Sequence, residues 1–316
     1  MDNNPLLVTV VINSFNQASF LEQTIQSVLG QDYPNMEILL VDGGSTDGSL
    51  EIIQRHAHRF NWWVSEKDNG QAEGINKGFL RAGGEIVAWL NSDDYFLPEA
   101  VSRAVASFQS KPDGVLHYGD VLAVDEKSIV INRMKTGEWQ IEDLMMFHII
   151  NQPAVFMHRK ALEQAGYLDP NFHYLLDHHL WLRIAAQGKM VHIQEIMAAG
   201  RFHAAAKNVA AASQFGEEAY RLVDWMKVTP PFKELGKGKW NRIMAGAHRI
   251  NARYLLDGGK PGLSLQSYWK GLTTHPTAVL PELHRMFYAF LSLIGLNKLK
   301  HLFFSIRRLV RPVKMD

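Results

Sequence analysis

The chain of 316 residues contains no cysteine. That excludes disulfides, thiolate metal centres and a cysteine nucleophile, and it fits a reducing compartment. Net charge is nearly absent too: 33 basic and 32 acidic side chains leave +1 at neutral pH. No global field draws the chain to nucleic acid, so any electrostatic preference has to be local. Long apolar runs are also missing. The longest, MFYAFLSLIGL at 286–296, is too short to span a bilayer. The amino terminus, MDNNPLLVTVVINSF, has neither the positive first region nor the small-residue cleavage site of a signal peptide, and reads as a strand of the mature fold. The expectation is a soluble or surface-associated protein of the cytoplasm. Two further absences narrow the chemistry. The turn NSFNQAS has no glycine, where a dinucleotide-dependent dehydrogenase needs a glycine-rich turn. Asn13 and Ser14 stand where a phosphohydrolase with an aspartyl nucleophile would carry an acid.

What is present alternates between two periods. LVTVVINSF (7–15) is a nearly continuous apolar run, followed by a helical pattern with Leu21, Ile25, Val28 and Leu29 on one face. EILLVDGG (37–44), NWWVSEKD (61–68) and EIVAWLN (85–91) repeat the strand, separated by the helical segments SLEIIQRHAHRF and GQAEGINKGFLRAGG. Such units predict an α/β fold with a mostly parallel sheet flanked by helices on both faces. Ligands of such sheets bind beyond the carboxyl ends of the strands. Those ends lie here at 13–16, 42–47, 66–68 and 91–94; all are polar and three carry carboxylates, as the lining of a nucleotide or metal site would. After residue 112 the pieces shorten. VLHYGDVLAV and IVINRMK predict a hairpin or mixed strands, then a helix at IEDLMMF, a strand at AVFMHR, and helices at KALEQAG and DHHLWLRIAAQG. Beyond about residue 215 only helical periodicity remains, interrupted at Pro230-Pro231, Pro261 and Pro281.

The fourth strand runs straight into Asp93 and Asp94. Adjacent carboxylates repel unless a positive charge sits beside them, so a divalent cation is one explanation. A surface turn leading into a helix near Pro98 is the other.

Taken in order, VTVVINSFNQASFLEQTIQSVLGQDYPNMEILLVDGGSTDGS, SEKDNGQAEGINKGF and GEIVAWLNSDD resemble the inverting nucleotide-sugar glycosyltransferases of glycosyltransferase family 2, over roughly residues 7–205. The resemblance implies a GT-A fold, with a catalytic domain at 1–215 (nucleotide-binding half about 1–112, acceptor half about 113–215) and a helical carboxyl-terminal region at 216–316. It implies that Asp42, at the end of the second strand, binds the base or ribose of the donor, with Asn13 and Asp68 on the same rim. Asp42 and Asp47 as helix caps is the competing explanation. The family's DXD motif corresponds to Asn91-Ser92-Asp93, with Asn91 in place of the usual acid: an acceptor oxygen is kept and the charge is lost. The metal, Mn2+ or Mg2+, then rests mainly on Asp93 with Asp94 close by. In GYLDPNFHYLLDHHLWLRIAAQG the resemblance aligns Asp177 with the catalytic base and Leu176 with its frequent companion acid. A carboxylate at a helix amino terminus is also favoured by the macrodipole alone. His178 and His179 receive no role, one being expected in the core and one in solvent. His203, in GRFHAAAKN, is the candidate to complete the metal sphere.

The implied reaction is direct displacement on a nucleoside-diphosphate sugar, UDP-linked by family habit, of hexosyl or N-acetylhexosaminyl type, toward a glycan or lipid-linked saccharide acceptor. A non-catalytic nucleotide-sugar-binding or nucleotidyl-transferring relative with the same sheet is the alternative. The carboxyl-terminal tail adds a local asymmetry: Lys298, Lys300, Arg307, Arg308, Arg311 and Lys314, with no acid before Asp316. As a helix it would gather Leu299, Leu302, Phe303 and Ile306 on one face, which predicts peripheral association with an anionic membrane at its inner surface, or packing on the catalytic domain.

Overall fold

The computed structural model describes residues 5–203, 206–207 and 211–296. The amphipathic tail expected at 298–314 lies outside them. The described residues divide into two compact units, one of residues up to 141 together with 149–201, the other of residues 142–148 together with those from 202 on.

The first unit is built on a nine-stranded sheet in the order β3-β2-β1-β4-β8-β6-β9-β5, with β7 paired to β6. Its first half follows the sequence pattern closely. β1 (Val8–Ser14), β2 (Met36–Asp42), β3 (Trp62–Ser65) and β4 (Ile86–Asn91) are parallel. Between them run α1 (Ala18–Leu29), α2 (Ser49–His56) and α3 (Gln71–Phe79). Strand order reverses at β1, which carries β2 on one side and β4 on the other, so a crevice opens at their carboxyl ends. Leu21, Ile25 and Val28 of α1 bury against Val10, Ile12, Leu40 and Leu90 on one face. On the other face α3 approaches β1 closely because Gly78 lies over Val11, where an added Cβ would come within 2.3 Å of a valine methyl.

The second half is mixed. After β5 (Tyr95–Phe96) and α4 (Ala100–Ser110), β6 (Gly114–Val124) and β7 (Val130–Met134) form the expected hairpin. Its tip is an Asx turn in which the Asp125 carboxylate accepts from Lys127 N and Ile129 N. β8 (Val155–His158) pairs antiparallel with both β4 and β6. α5 (Ile141–Met145), α6 (Arg159–Ala165) and α7 (Leu176–Ala185) fall where the sequence pattern places them. The last strand, β9 (Lys189–Arg201), is an addition to the sequence reading. It lies parallel to β6 and antiparallel to β5. Its partner register with β6 shifts three times, which breaks the period-2 alternation by which a long strand is recognised.

α7 seats on the sheet through Trp181, stacked on Trp89 of β4 at 5.1 Å between ring centroids. Both His178 and His179 are buried, contrary to the expectation of one in solvent: α7 is covered on nearly all sides, so it has no free face for a histidine to occupy.

In the second unit, α8 (Phe215–Val228), α9 (Phe232–Leu235), α10 (Trp240–Asp257), α11 (Pro261–Thr274) and α12 (Leu283–Leu293) pack with residues 142–148. Arg249 of α10 donates to the carbonyls of Met146, Phe147 and Ala278, capping the end of α5. Among the described residues no helix is long and apolar enough to cross a membrane.

Candidate active site

The residues expected to bind a donor converge beyond the carboxyl ends of β1 to β4. Asn13 and Asn91 are register neighbours on β1 and β4, and Ser14 and Asp42 on β1 and β2. Over Gly74, in the first turns of α3, the side chains of Asn13 and Asp68 meet: a Cβ there would lie 2.8 Å from both Asn13 Oδ1 and Asp68 Oδ2. Gly43 makes room in the same way, its absent Cβ falling 2.9 Å from Asp68 Oδ2. Two glycines therefore clear the space that these polar groups occupy.

Asp42 is fully buried and its carboxylate is held by the chain. Oδ2 accepts from Gly44 N (3.2 Å), Ser45 N (2.9 Å) and Ser65 Oγ (2.7 Å), and Oδ1 from Ser45 Oγ (2.5 Å). Asp47 does cap helices, and two of them. Its Oδ2 accepts from Ala18 N at the start of α1, and its Oδ1 from Ser49 N and Ser49 Oγ at the start of α2. The loops after β1 and β2 are joined further by Asn16 N donating to Ser45 Oγ (2.7 Å) and Thr46 N donating to Asn16 Oδ1 (2.9 Å).

Asn91 begins a chain of amides. Gln71 Nε2 donates to Asn91 Oδ1 (2.9 Å), Asn91 Nδ2 to Gln152 Oε1 (3.0 Å), and Gln152 Nε2 to the Trp89 carbonyl (2.7 Å). One lone pair of the Asn91 oxygen is thus engaged, leaving capacity for one more donor. Ser92 is buried and continues the β1 pairing, its N–H donating to the Asn13 carbonyl. The Thr24 hydroxyl of α1 lies 2.9 Å from the Ser92 carbonyl and 2.7 Å from that of Asp94, so the acidic turn is pinned from below.

Asp93 is partly exposed, whereas Asp94 is buried. Burial, then the charge of Asp93 beside it, push the Asp94 carboxyl well above the usual carboxylate range, against hydrogen bonds from Arg201 N and Asn91. The folded state holds this proton to higher pH than the unfolded chain does. Stability is therefore lost as pH rises from the unfolded pKa through the folded one, and a nearby cation relieves that loss. Among the described residues no three histidine or carboxylate side chains gather closely enough to hold a metal ion by themselves. The hard oxygen donors of two adjacent acids fit a divalent ion only with further ligands from outside the chain.

Sequence reasoning missed Arg201, the last residue of β9. Nearly fully buried, it donates through Nε to the Asp93 carbonyl, through Nη1 to Asp125 O, Glu126 O and Ser128 Oγ, and through Nη2 to Gln23 Oε1. It fixes the acidic turn to the hairpin tip and to α1. Arg201→Met is expected to lower stability by roughly 1–3 kcal/mol, because the buried guanidinium's bonds to several part-buried acceptors are lost. Arg201→Lys should recover little, since one ammonium cannot serve acceptors spread across a planar fork. Urea unfolding of the three proteins measures both; a Lys variant as stable as the parent would contradict the account. Phe15 was missed as well. At the end of β1 it is 57 % exposed, with its ring against Gly43. Gln71 and Gln152 gave no signal, since amides are common everywhere.

Asp177 stands in the first turn of α7, partly exposed, with its Oδ1 2.7 Å from His178 N. It lies one turn before Trp181 on the same helix face, the face that stacks on Trp89. Arg183 closes the end of α6 by donating to the Ala165 and Tyr167 carbonyls. His203 is buried and belongs to the second unit, its carbonyl accepting from Ala206 N.

A mixed sheet flanked by helices, with carboxylates at the parallel strand ends, is the architecture of the GT-A fold. Solved structures of that class share the fold. S. aureus TarS 1–349 in complex with UDP-GlcNAc matches with a TM-score of 0.59 and 13% identity, covering 88% of this chain and 92% of that one. Mannosyltransferase PcManGT from Pyrobaculum calidifontis, in complex with GDP-Man and Mn2+, matches with a TM-score of 0.60 and 17% identity, covering 99% and 89%. In sequence, residues 9–162 match the model of glycosyl transferase family 2. An uncharacterized glycosyltransferase of Nostoc sp. is 32% identical over 225 residues, 67% of this chain and 69% of that protein. TuaG of Bacillus subtilis, named for teichuronic acid biosynthesis, is 28% identical over 193 residues, 60% and 75% of the two chains. The chain belongs to glycosyltransferase family 2.

Proposed function

We propose that this glycosyltransferase inverts configuration, moving a hexosyl or N-acetylhexosaminyl group from a nucleoside-diphosphate sugar, UDP-linked, to a glycan or lipid-linked saccharide. The observation that carries this is the convergence of Asn13, Asp42, Asp68 and residues 91–94 at the open end of four parallel strands. Nucleotide sugars in the related folds support the donor class. Donor binding is assigned to about 1–112 and the acceptor to 113–215.

In this reading Asp42 and Asp68 receive the nucleoside, and the exposed ring of Phe15 offers it an apolar face. Asn91 and Ser92 position the sugar–diphosphate. Asp93 would hold a divalent cation, Mn2+ or Mg2+, with Asp94 behind it; His203 is left out of the set, because no three such side chains gather among the described residues. When bound, that ion supplies charge neutralisation for the departing diphosphate. Asp177 accepts the proton of the acceptor hydroxyl as its oxygen bonds to the anomeric carbon. The bond from that carbon to the diphosphate breaks from the opposite side, and nucleoside diphosphate leaves with the electron pair.

The deciding experiment is a thermal-shift screen of nucleotides and nucleotide sugars with and without manganese, since a ligand of the native state raises the melting temperature, followed by product analysis. Nucleoside diphosphate is the expected product; pyrophosphate, or no turnover with any stabilising sugar nucleotide, would favour the nucleotidyl-transferring or non-catalytic alternative. A residue-level test accompanies it. Asp42→Ala is expected to weaken free nucleoside diphosphate and intact donor by similar factors, because its contact is to the nucleoside. It should also lower stability by about 1–3 kcal/mol through the donors left unmatched around it. Loss of stability with an unchanged nucleotide Kd would make Asp42 a holder of its own turn. Peripheral association with an anionic membrane, expected from the basic tail, completes the proposal.

A further inference from the structure

α12 leaves one apolar stripe without a partner among the described residues. Leu283, Phe287, Phe290 and Ile294, at the end of the helix, are 47, 63, 50 and 52 % exposed. At 100° per residue these four fall within an arc of about 60°. The helix does not need that stripe for its own packing. Ala289 is buried, Met286 packs against Ala252, Tyr268 and Val279, and Leu293 reaches Gly262 of α11. The acids beside the helix are already matched: Arg285 pairs with Asp257 and Glu282, and Arg253 with Glu282. Directly after the stripe the sequence carries six basic residues between Lys298 and Lys314 with no acid among them.

We infer that the α12 stripe is the surface by which the protein enters the headgroup region of an anionic membrane. The inference rests on the membrane association proposed above and assigns it to residues within the described fold. Two large aromatic and two aliphatic side chains in a narrow arc suit shallow insertion parallel to the interface. The basic segment that follows in the sequence supplies attraction to anionic lipid, which salt screens.

The test uses the full chain and vesicles of phosphatidylcholine with or without phosphatidylglycerol. The parent is expected to sediment with the anionic vesicles, less so at high salt, and weakly with the neutral ones. Phe287→Ser/Phe290→Ser should reduce that partition by roughly tenfold or more, with melting temperature and nucleotide-induced stabilisation unchanged. Phe287→Trp/Phe290→Trp should restore it. Should the serine variant misfold, Leu283→Gln/Ile294→Gln tests the same stripe. Failure of the parent to bind would overturn both the membrane association and the stripe. Equal binding by parent and serine variant would overturn the stripe alone, as would a parent dimer in sedimentation velocity that the serine variant dissolves. Glycosyl transfer to a soluble acceptor is unaffected by any of these outcomes.

Discussion

Asp177→Asn should leave donor affinity close to that of the parent while turnover falls by roughly two to four orders of magnitude. The substitution keeps the side chain's shape and its ability to accept from His178 N, so the start of α7 is preserved. What it removes is the capacity to take a proton from the attacking hydroxyl. Nucleotide titration by calorimetry and a steady-state rate on the same preparation separate the two effects. If binding and turnover fell together, Asp177 would be a structural residue of α7.

Asp93→Ala should abolish turnover and the manganese dependence of nucleotide binding, while Asp93→Asn should fold normally and transfer sugar far more slowly than the parent. The turn itself survives either change, since Thr24 and Arg201 hold it through backbone carbonyls. Asp94 adds a signature that activity alone does not give. Because its proton is retained by burial and by Asp93, manganese binding in the parent should release a proton and tighten as pH rises. Calorimetry in buffers of different ionisation enthalpy reads that proton directly. An Asp93→Asn enzyme working near the parent rate would remove the metal role.

The first half of the sheet was legible because each of its strands is an apolar run ending in polar residues. β1, β2 and β4 carry Val, Ile, Leu and Trp buried from both faces, so neither period nor length was ambiguous there. β9 was not. Its sequence, KMVHIQEIMAAGR, ends in small residues that fit a helix or a loop as well as a strand, and they are buried because β5 and β6 lie against them. Arg201 was hidden for the same reason: a basic residue is ordinarily read as solvated, and only the meeting of the hairpin tip, α1 and the acidic turn makes it a core residue. The carboxylates at the strand ends were legible as a group. Their separate duties were not, since Asp42 and Asp47 sit five residues apart in one loop, yet one closes on its own turn and the other holds two helices.

The lacing between the loops that follow β1 and β2 bears on how such a protein could be re-engineered. Asn16, Ala18, Ser45, Thr46 and Asp47 exchange hydrogen bonds across a gap of about thirty residues in sequence. A donor-side loop transplanted singly from a relative would arrive with half of each of these bonds and leave the helix start of α1 without its Asp47 acceptor. The heritable module is the pair, so chimaeras that exchange residues 14–18 together with 43–49 should stay folded where either exchange alone loses stability.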